Sequence, residues 1–117
     1  MVVKESQHIN LDYLDMMADG DTDMRDTMLT MLLEELPTEM AKMRATTYTA
    51  DWATLREVSH KMKSTLAFIG NTPMTAANKE IEDCCKNGGN TGKIPALMGI
   101  LEAQMPGVMD DLRDCLG

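Results

Sequence analysis

Apolar residues along this chain recur every three or four positions, and no stretch alternates with the two-residue period of a strand. That spacing predicts amphipathic helices. The clearest run is Trp52, Leu55, Met62, Leu66 and Ile69, with small Ser59 in the gap, so the steps run three, four, three, four, three. Thr49 or Asp51 serves as the N-cap of this helix, and Gly70 is expected to end it. Before it the pattern predicts a short helix from about Leu11 to Ala18, closed by Gly20, and a long one from about Thr22 to Thr46. The long helix is expected to turn Met24, Met28, Met31, Leu32, Leu36, Met40 and Met43 inward and to kink near Leu33 to Leu36, because Pro37 removes a backbone donor. Thr72-Pro73 supplies an N-cap and a preset first-turn residue for a fourth helix that runs to about Asn87 and stops at Gly88-Gly89. A last helix begins around Lys93 to Pro95 and reaches about Leu116, bent or weakened at Gly99 and Pro106-Gly107. Connections this short force antiparallel neighbours. The expected fold is therefore all-α: an antiparallel up-down four-helix bundle with an additional short N-terminal helix, one domain over residues 1–117.

Charge narrows the function classes. Lys plus Arg is 11 against 19 for Asp plus Glu, a net charge of −8, whereas neutralising nucleic-acid phosphates takes a basic face. No apolar run approaches the roughly 20 residues of a membrane span, and the opening Met1-Val2-Val3-Lys4-Glu5 lacks the layout of a secretory signal. A cytoplasmic, monomeric protein without membrane contact is the expectation. Cys84, Cys85 and Cys115 are odd in number, two of them adjacent, with no zinc-type spacing; reduced, partly buried thiols are expected. The 13 methionines recur at near-helical intervals and read as core filling, so no metal site is expected.

His60 is the candidate for chemistry. At about 100° per residue it falls roughly 130° from the centre of its helix's apolar stripe, in line with Ala53, Arg56, Glu57, Ser64 and Ala67. It should face solvent, with Lys63 one turn along and with Ser64 and Ala67 small enough to admit a second protein. In an antiparallel pair, residues equally distant from the turn lie level, and the midpoint of 60 and 82 is the turn residue Asn71. Glu82 is thus expected beside His60, where its carboxylate would fix the imidazole tautomer and leave the other nitrogen as an outward nucleophile. The alternative is a Glu82 exposed on a solvated face. Arg56, Lys61 and Lys63 surround His60 with only Glu57 opposing, a local positive patch or else ordinary surface charges. Phe68 lies well off the apolar stripe, as a docking contact or as packing for the short first helix. His8 stands isolated in a polar N-terminal segment and reads as incidental; Trp52 reads as a core anchor.

The run Asp51-Trp52, Leu55, Ser59-His60, Lys63-Ser64-Thr65, Gly70 and then Ile81-Glu82 resembles the signature of the histidine-containing phosphotransfer (HPt) domain of multistep phosphorelays. The acidic Leu/Met-rich opening helices, the proline in the second and the helix order extend the resemblance over nearly the whole chain. It implies that His60 accepts the phosphoryl group, that Lys63 neutralises it, and that Glu82 stands where relatives carry Gln or Glu near the imidazole. Ser64 replaces the commoner glycine of the family and slightly narrows the partner's clearance. The implied partners are response-regulator receiver domains and a hybrid sensor histidine kinase, either a separate protein or the same polypeptide, in which case the domain would be that kinase's cytoplasmic end. Arg56, Lys61, Ser64, Ala67 and Phe68 form the expected docking residues. No cofactor of its own is implied; Mg²⁺ is expected in the receiver.

Other classes fit poorly. An autophosphorylating kinase needs a Gly-rich phosphate loop followed by acidic and Asn motifs, which are missing. A di-iron bundle needs repeated inward Glu-x-x-His pairs, and Glu57 with His60 supplies that spacing once, pointing outward. The remaining competitor is an HPt-like interaction module that docks a receiver without accepting phosphate.

Overall fold

Helix boundaries follow the capping chemistry of the sequence. The structure, a computed structural model, describes residues 8–87 and 90–116. Among these lie α1 (Asp12–Ala18), α2 (Thr22–Tyr48), α3 (Trp52–Ile69), α4 (Thr72–Asn87) and α5 (Ile94–Leu116), with a single 3₁₀ turn at Thr91–Lys93 leading into α5. Asp21 caps α2 by accepting the Met24 N–H at 3.0 Å, and Asp51 caps α3 by accepting the Thr54 N–H at 3.2 Å. Of the two candidate caps for α3, Asp51 is the one used. Gly70 ends α3 at φ 70°, and its bare Cα is required twice over: a Cβ there would collide with the Asn10 carbonyl.

Asn71, not Thr72, caps α4. Its Oδ1 accepts the Met74 N–H at 2.9 Å, while its amide donates to the His8 carbonyl at 2.8 Å and to Gln104 Oε1 at 3.0 Å. Thr72 is therefore the first helical residue and Pro73 the second, a place where the missing N–H costs no intrahelical bond. The glycine pair at 88–89, expected to stop α4, lies outside the described residues. The two prolines beyond a first helical turn are carried without interruption: α2 runs through Pro37 to Tyr48, and α5 runs through Gly99 and Pro106-Gly107.

The four long helices close a ring in which α3 packs against α2 and α4, and α5 against α4 and α2. This is the up-down bundle the loop lengths imply, with no strand among the described residues. Leu29, Leu36, Met43, Leu55, Met62, Ile81, Leu101 and Leu112 are fully enclosed in its centre, each contributing about 1.5–3 kcal/mol by leaving water. The inward face of α2 differs from the expected one. Met24 and Met31 remain about half exposed and Met28 half-buried, while Leu29 is fully buried. Two apolar stripes lie side by side on this helix, and the one through Leu29, Leu32, Leu36, Met40 and Met43 is the one that α3 and α5 cover. Trp52 is partly buried against the core; Cys84 is buried, Cys85 and Cys115 half-buried, and all three are free thiols.

The first helix docks through Leu14 and through Tyr13, whose ring stacks on Phe68 with centroids 5.1 Å apart. His8 is not isolated. Its backbone N–H and Nδ1 both reach Asp111 Oδ2, at 3.3 and 3.2 Å, and its ring lies against Gly107, where a Cβ would leave no room. The segment from His8 to Leu11 is thus a strap across the end of the bundle, tied further by the Asn10 N–H to the Ile69 carbonyl at 2.9 Å. No described helix is long and apolar enough to cross a membrane.

Candidate functional site

The seam between α3 and α4 is held by a buried clamp at Ser59, the residue that precedes the candidate nucleophile. The Ser59 hydroxyl reaches the Asn78 carbonyl at 3.0 Å and its side-chain oxygen at 2.8 Å, and the Asn78 amide donates to the Ser59 carbonyl at 2.9 Å. Both residues are buried. The clamp fixes the height of α4 against α3, and Glu82 follows Asn78 by one turn on the same face. The sequence offered Ser59 only as a small filler, and Asn78 gave no signal, since a polar residue on an amphipathic helix reads as solvated.

Above the clamp, one carboxylate holds two partners. Glu82 Oε2 lies 2.7 Å from His60 Nδ1, and Oε1 lies 2.6 Å from Lys63 Nζ. The His60 side chain is 71% exposed and Lys63 50%, whereas Glu82 is only 11% exposed, so the acceptor is fixed and the imidazole presented. The Lys63 ammonium, and secondarily the His60 hydrogen bond, hold the Glu82 carboxyl below its usual value against the opposing effect of burial. An ionised carboxylate only accepts hydrogen bonds. Nδ1 must therefore carry the proton, which leaves the Nε2 lone pair facing water.

Arg56 shares with His60 and Glu82 an open depression of about 530 Å³, completed by Ala53 and Glu57. The expected basic cluster is divided, however. Arg56 and Lys63 lean toward α4, whereas Lys61 lies on the opposite flank, where its charge acts on Glu39 of α2. Ser64 is exposed and opens onto a second, apolar depression of about 280 Å³ between α2 and α3, lined by Met28, Met31, Leu32, Glu35, Thr65 and Phe68. Ala67 is exposed on the α4 side, beside Thr75 and Lys79. Phe68 fills the role of packing for α1 through the Tyr13 stack while still lining the apolar depression.

Glu39 is the second buried carboxylate at this level, and the pattern along α2 gave no hint of its burial. Its Oε1 accepts from the Thr65 hydroxyl at 3.2 Å, and Oε2 has no hydrogen-bond partner. Burial, with the like charge of Glu35, pushes this carboxyl up.

An arrangement of this kind suits nucleophilic chemistry on an incoming electrophile. A neutral imidazole with a fixed tautomer supplies an electron pair at a solvent-facing atom, and an ammonium stands within a side-chain's reach to balance negative charge.

The sequence profile of the Hpt domain matches residues 27–115 of the chain. Among solved structures, the fold is similar to that of histidine-containing phosphotransfer protein B from Pseudomonas aeruginosa, with a TM-score of 0.84 and 18% identity over 96% of each chain. It is similar also to the HPT domain of a sensor hybrid histidine kinase from Shewanella, with a TM-score of 0.80 and 21% identity over 96% of each chain. At these identities the likenesses establish the fold. No curated protein sequence matches the chain.

Proposed function

Since this chain belongs to the Hpt domain family and so serves histidine phosphotransfer in a phosphorelay, we propose that His60 is its phosphoacceptor and Nε2 the atom that takes the phosphoryl group. One observation carries the assignment: His60 is exposed while its Nδ1 is held at 2.7 Å by the nearly enclosed Glu82. The Nε2 lone pair attacks the phosphorus of an aspartyl phosphate on a receiver domain, an N–P bond forms, and the aspartate leaves with the P–O electron pair. Passing the group on to a second receiver reverses these steps. The proton on Nδ1 stays in its hydrogen bond to Glu82 throughout, which supports the positive charge the ring acquires on phosphorylation.

Positioning and charge balance account for most of such a transfer. This chain contributes a fixed imidazole and the Lys63 ammonium; the divalent cation and the acidic pocket are the receiver's contribution. A receiver that brings its aspartate to His60 also covers Arg56, Ser64 and Ala67, and its edges reach Lys61 and the groove beside Phe68. The small side chains of Ser64 and Ala67 leave room for that approach. Partners of this class, a hybrid sensor kinase and a response regulator, are cytoplasmic, and the chain works there as a monomer.

Incubation with a phosphorylated receiver domain tests the assignment. An acid-labile, base-stable phosphoprotein is expected, and His60→Gln abolishes it with the helical circular dichroism unchanged. Undiminished labelling of the His60→Gln protein would refute the role of His60.

A further inference from the structure

In this structure the Lys63 ammonium is already engaged by Glu82, whose Oε1 lies 2.6 Å from Nζ. Glu82 holds a second partner as well: its other carboxylate oxygen occupies His60 Nδ1. The two ring nitrogens of His60 point to opposite sides, so a phosphoryl group on Nε2 is carried outward, away from Glu82. The group therefore forms on the side of the ring away from the carboxylate that now holds Lys63.

Resting on the reading of His60 as phosphoacceptor, we propose that Lys63 exchanges partners during the relay. In the unphosphorylated chain Glu82 parks the ammonium; on phosphorylation the ammonium swings to the phosphoryl oxygens, and Glu82 retains only the imidazole N–H. Lys63 sits on a flexible four-carbon stem and is half exposed, so the swing needs no movement of backbone. Glu82 is buried on the fixed side of the seam and does not follow it. Glu82 is thereby a positioning residue with two effects of opposite direction. It orients the imidazole for attack, and it competes with the phosphoryl group for the cation. The exchange breaks one ion pair and forms another, with no proton transferred. It keeps the site close to electrically balanced in both states: ammonium on carboxylate before loading, then ammonium on phosphoryl and ring cation on carboxylate after.

The exchange is read by NMR at neutral pH on the full chain, phosphorylated with potassium phosphoramidate as a small chemical donor. The Lys63 ¹⁵Nζ signal is expected to move and to acquire coupling to ³¹P through its hydrogen bond, while the Glu82 carboxyl ¹³C signal moves toward its position in unphosphorylated Lys63→Met. A kinetic arm compares phosphohistidine lifetimes. Lys63→Met should shorten the lifetime by about 2- to 5-fold more in a Glu82→Gln background than in the native chain, the range of partly exposed ion pairs, because there the ammonium has no competing carboxylate. Phosphorylated His60 with unmoved Lys63 and Glu82 signals overturns the exchange. So does coupling to phosphorus with an unmoved Glu82 carboxyl, the mark of an ammonium that bridges both groups. So does an equal effect of Lys63→Met in the two backgrounds. A chain that takes no phosphorus at His60 overturns the underlying assignment instead, and the two failures are thus distinct.

Discussion

Two carboxylates of nearly equal burial, Glu39 at 5% exposure and Glu82 at 8%, flank α3 on opposite sides and ionise in opposite directions. Glu82 faces α3 across the α4 seam and meets an ammonium and an imidazole, which hold it anionic. Glu39 faces α3 from α2 and meets one hydroxyl, with Lys61 and Lys42 acting only through their charge, so burial pushes it toward the neutral acid. Burial opposes ionisation at both carboxyls, and only at Glu82 do bonded partners outweigh it. The same contrast runs the length of α3. Its α4 flank is pinned by the Ser59–Asn78 clamp and carries the ordered chemistry, whereas its α2 flank is an apolar groove of Met28, Met31, Leu32 and Phe68, whose methionines adapt readily to a partner's shape. One flank fixes an atom and the other accommodates a surface.

Breaking the ordered flank should cost most. Asn78→Leu removes two buried side-chain hydrogen bonds and leaves the Ser59 hydroxyl only the backbone carbonyl of residue 78, an expected loss of about 1–3 kcal/mol in urea denaturation. Ser59→Ala should cost less in that background than in the native chain, since the two side chains share one of the lost hydrogen bonds.

The opposed ionisations give the next largest effect, and their signs differ. Glu39 titrates higher folded than unfolded, so its favourable contribution is complete below the unfolded value of about 4.3 and is lost as pH rises through the raised folded value. Glu39→Gln should accordingly stabilise the chain by about 1 kcal/mol at pH 7 and by less at pH 4, measured by denaturation at the two values. Glu82 titrates lower folded, so its contribution is present above about 4.3 and is lost as pH falls through the lowered value. Glu82→Gln should therefore destabilise at pH 7, and the difference should fade in acid. Equal effects of the two substitutions at pH 7 would erase the contrast.

A smaller effect sharpens the separation of the flanks. Tyr13→Ala removes the stack on Phe68 and should cost about 0.5–1 kcal/mol in thermal melting. Chemical phosphorylation of His60 by phosphoramidate should be unaffected, because Tyr13 belongs to the α2 flank. A slowed reaction would show that the two sides are coupled.

The bundle and the centre of its site were legible in the sequence because both rest on periodicity. Helical spacing alone places His60 outward, and the symmetry of an antiparallel pair about Asn71 places Glu82 level with it. What periodicity does not carry is the destination of a polar side chain once two helices meet. Asn78 and Glu39 carry no signal of burial, since residues of their types usually face water, and only the facing Ser59 and Thr65 make their burial tolerable. The Lys63 contact escaped for a similar reason: a one-turn offset from His60 says that the ammonium is near, not which group it touches. On α2 the difficulty was an excess of signal. Two methionine- and leucine-rich stripes lie side by side, and the choice of Leu29 over Met24 and Met31 follows from which stripe α3 and α5 jointly cover. The tie between His8 and Asp111 spans nearly the whole chain, and no local pattern announces a contact of that range.

The most direct test of the account is nitrogen-15 NMR of the His60 ring after phosphorylation. The geometry predicts coupling between phosphorus and Nε2, with the proton retained on Nδ1 and hydrogen-bonded to Glu82. Phosphorus bonded to Nδ1 would contradict it, since that atom would then have had to leave the carboxylate that the whole arrangement is built to provide.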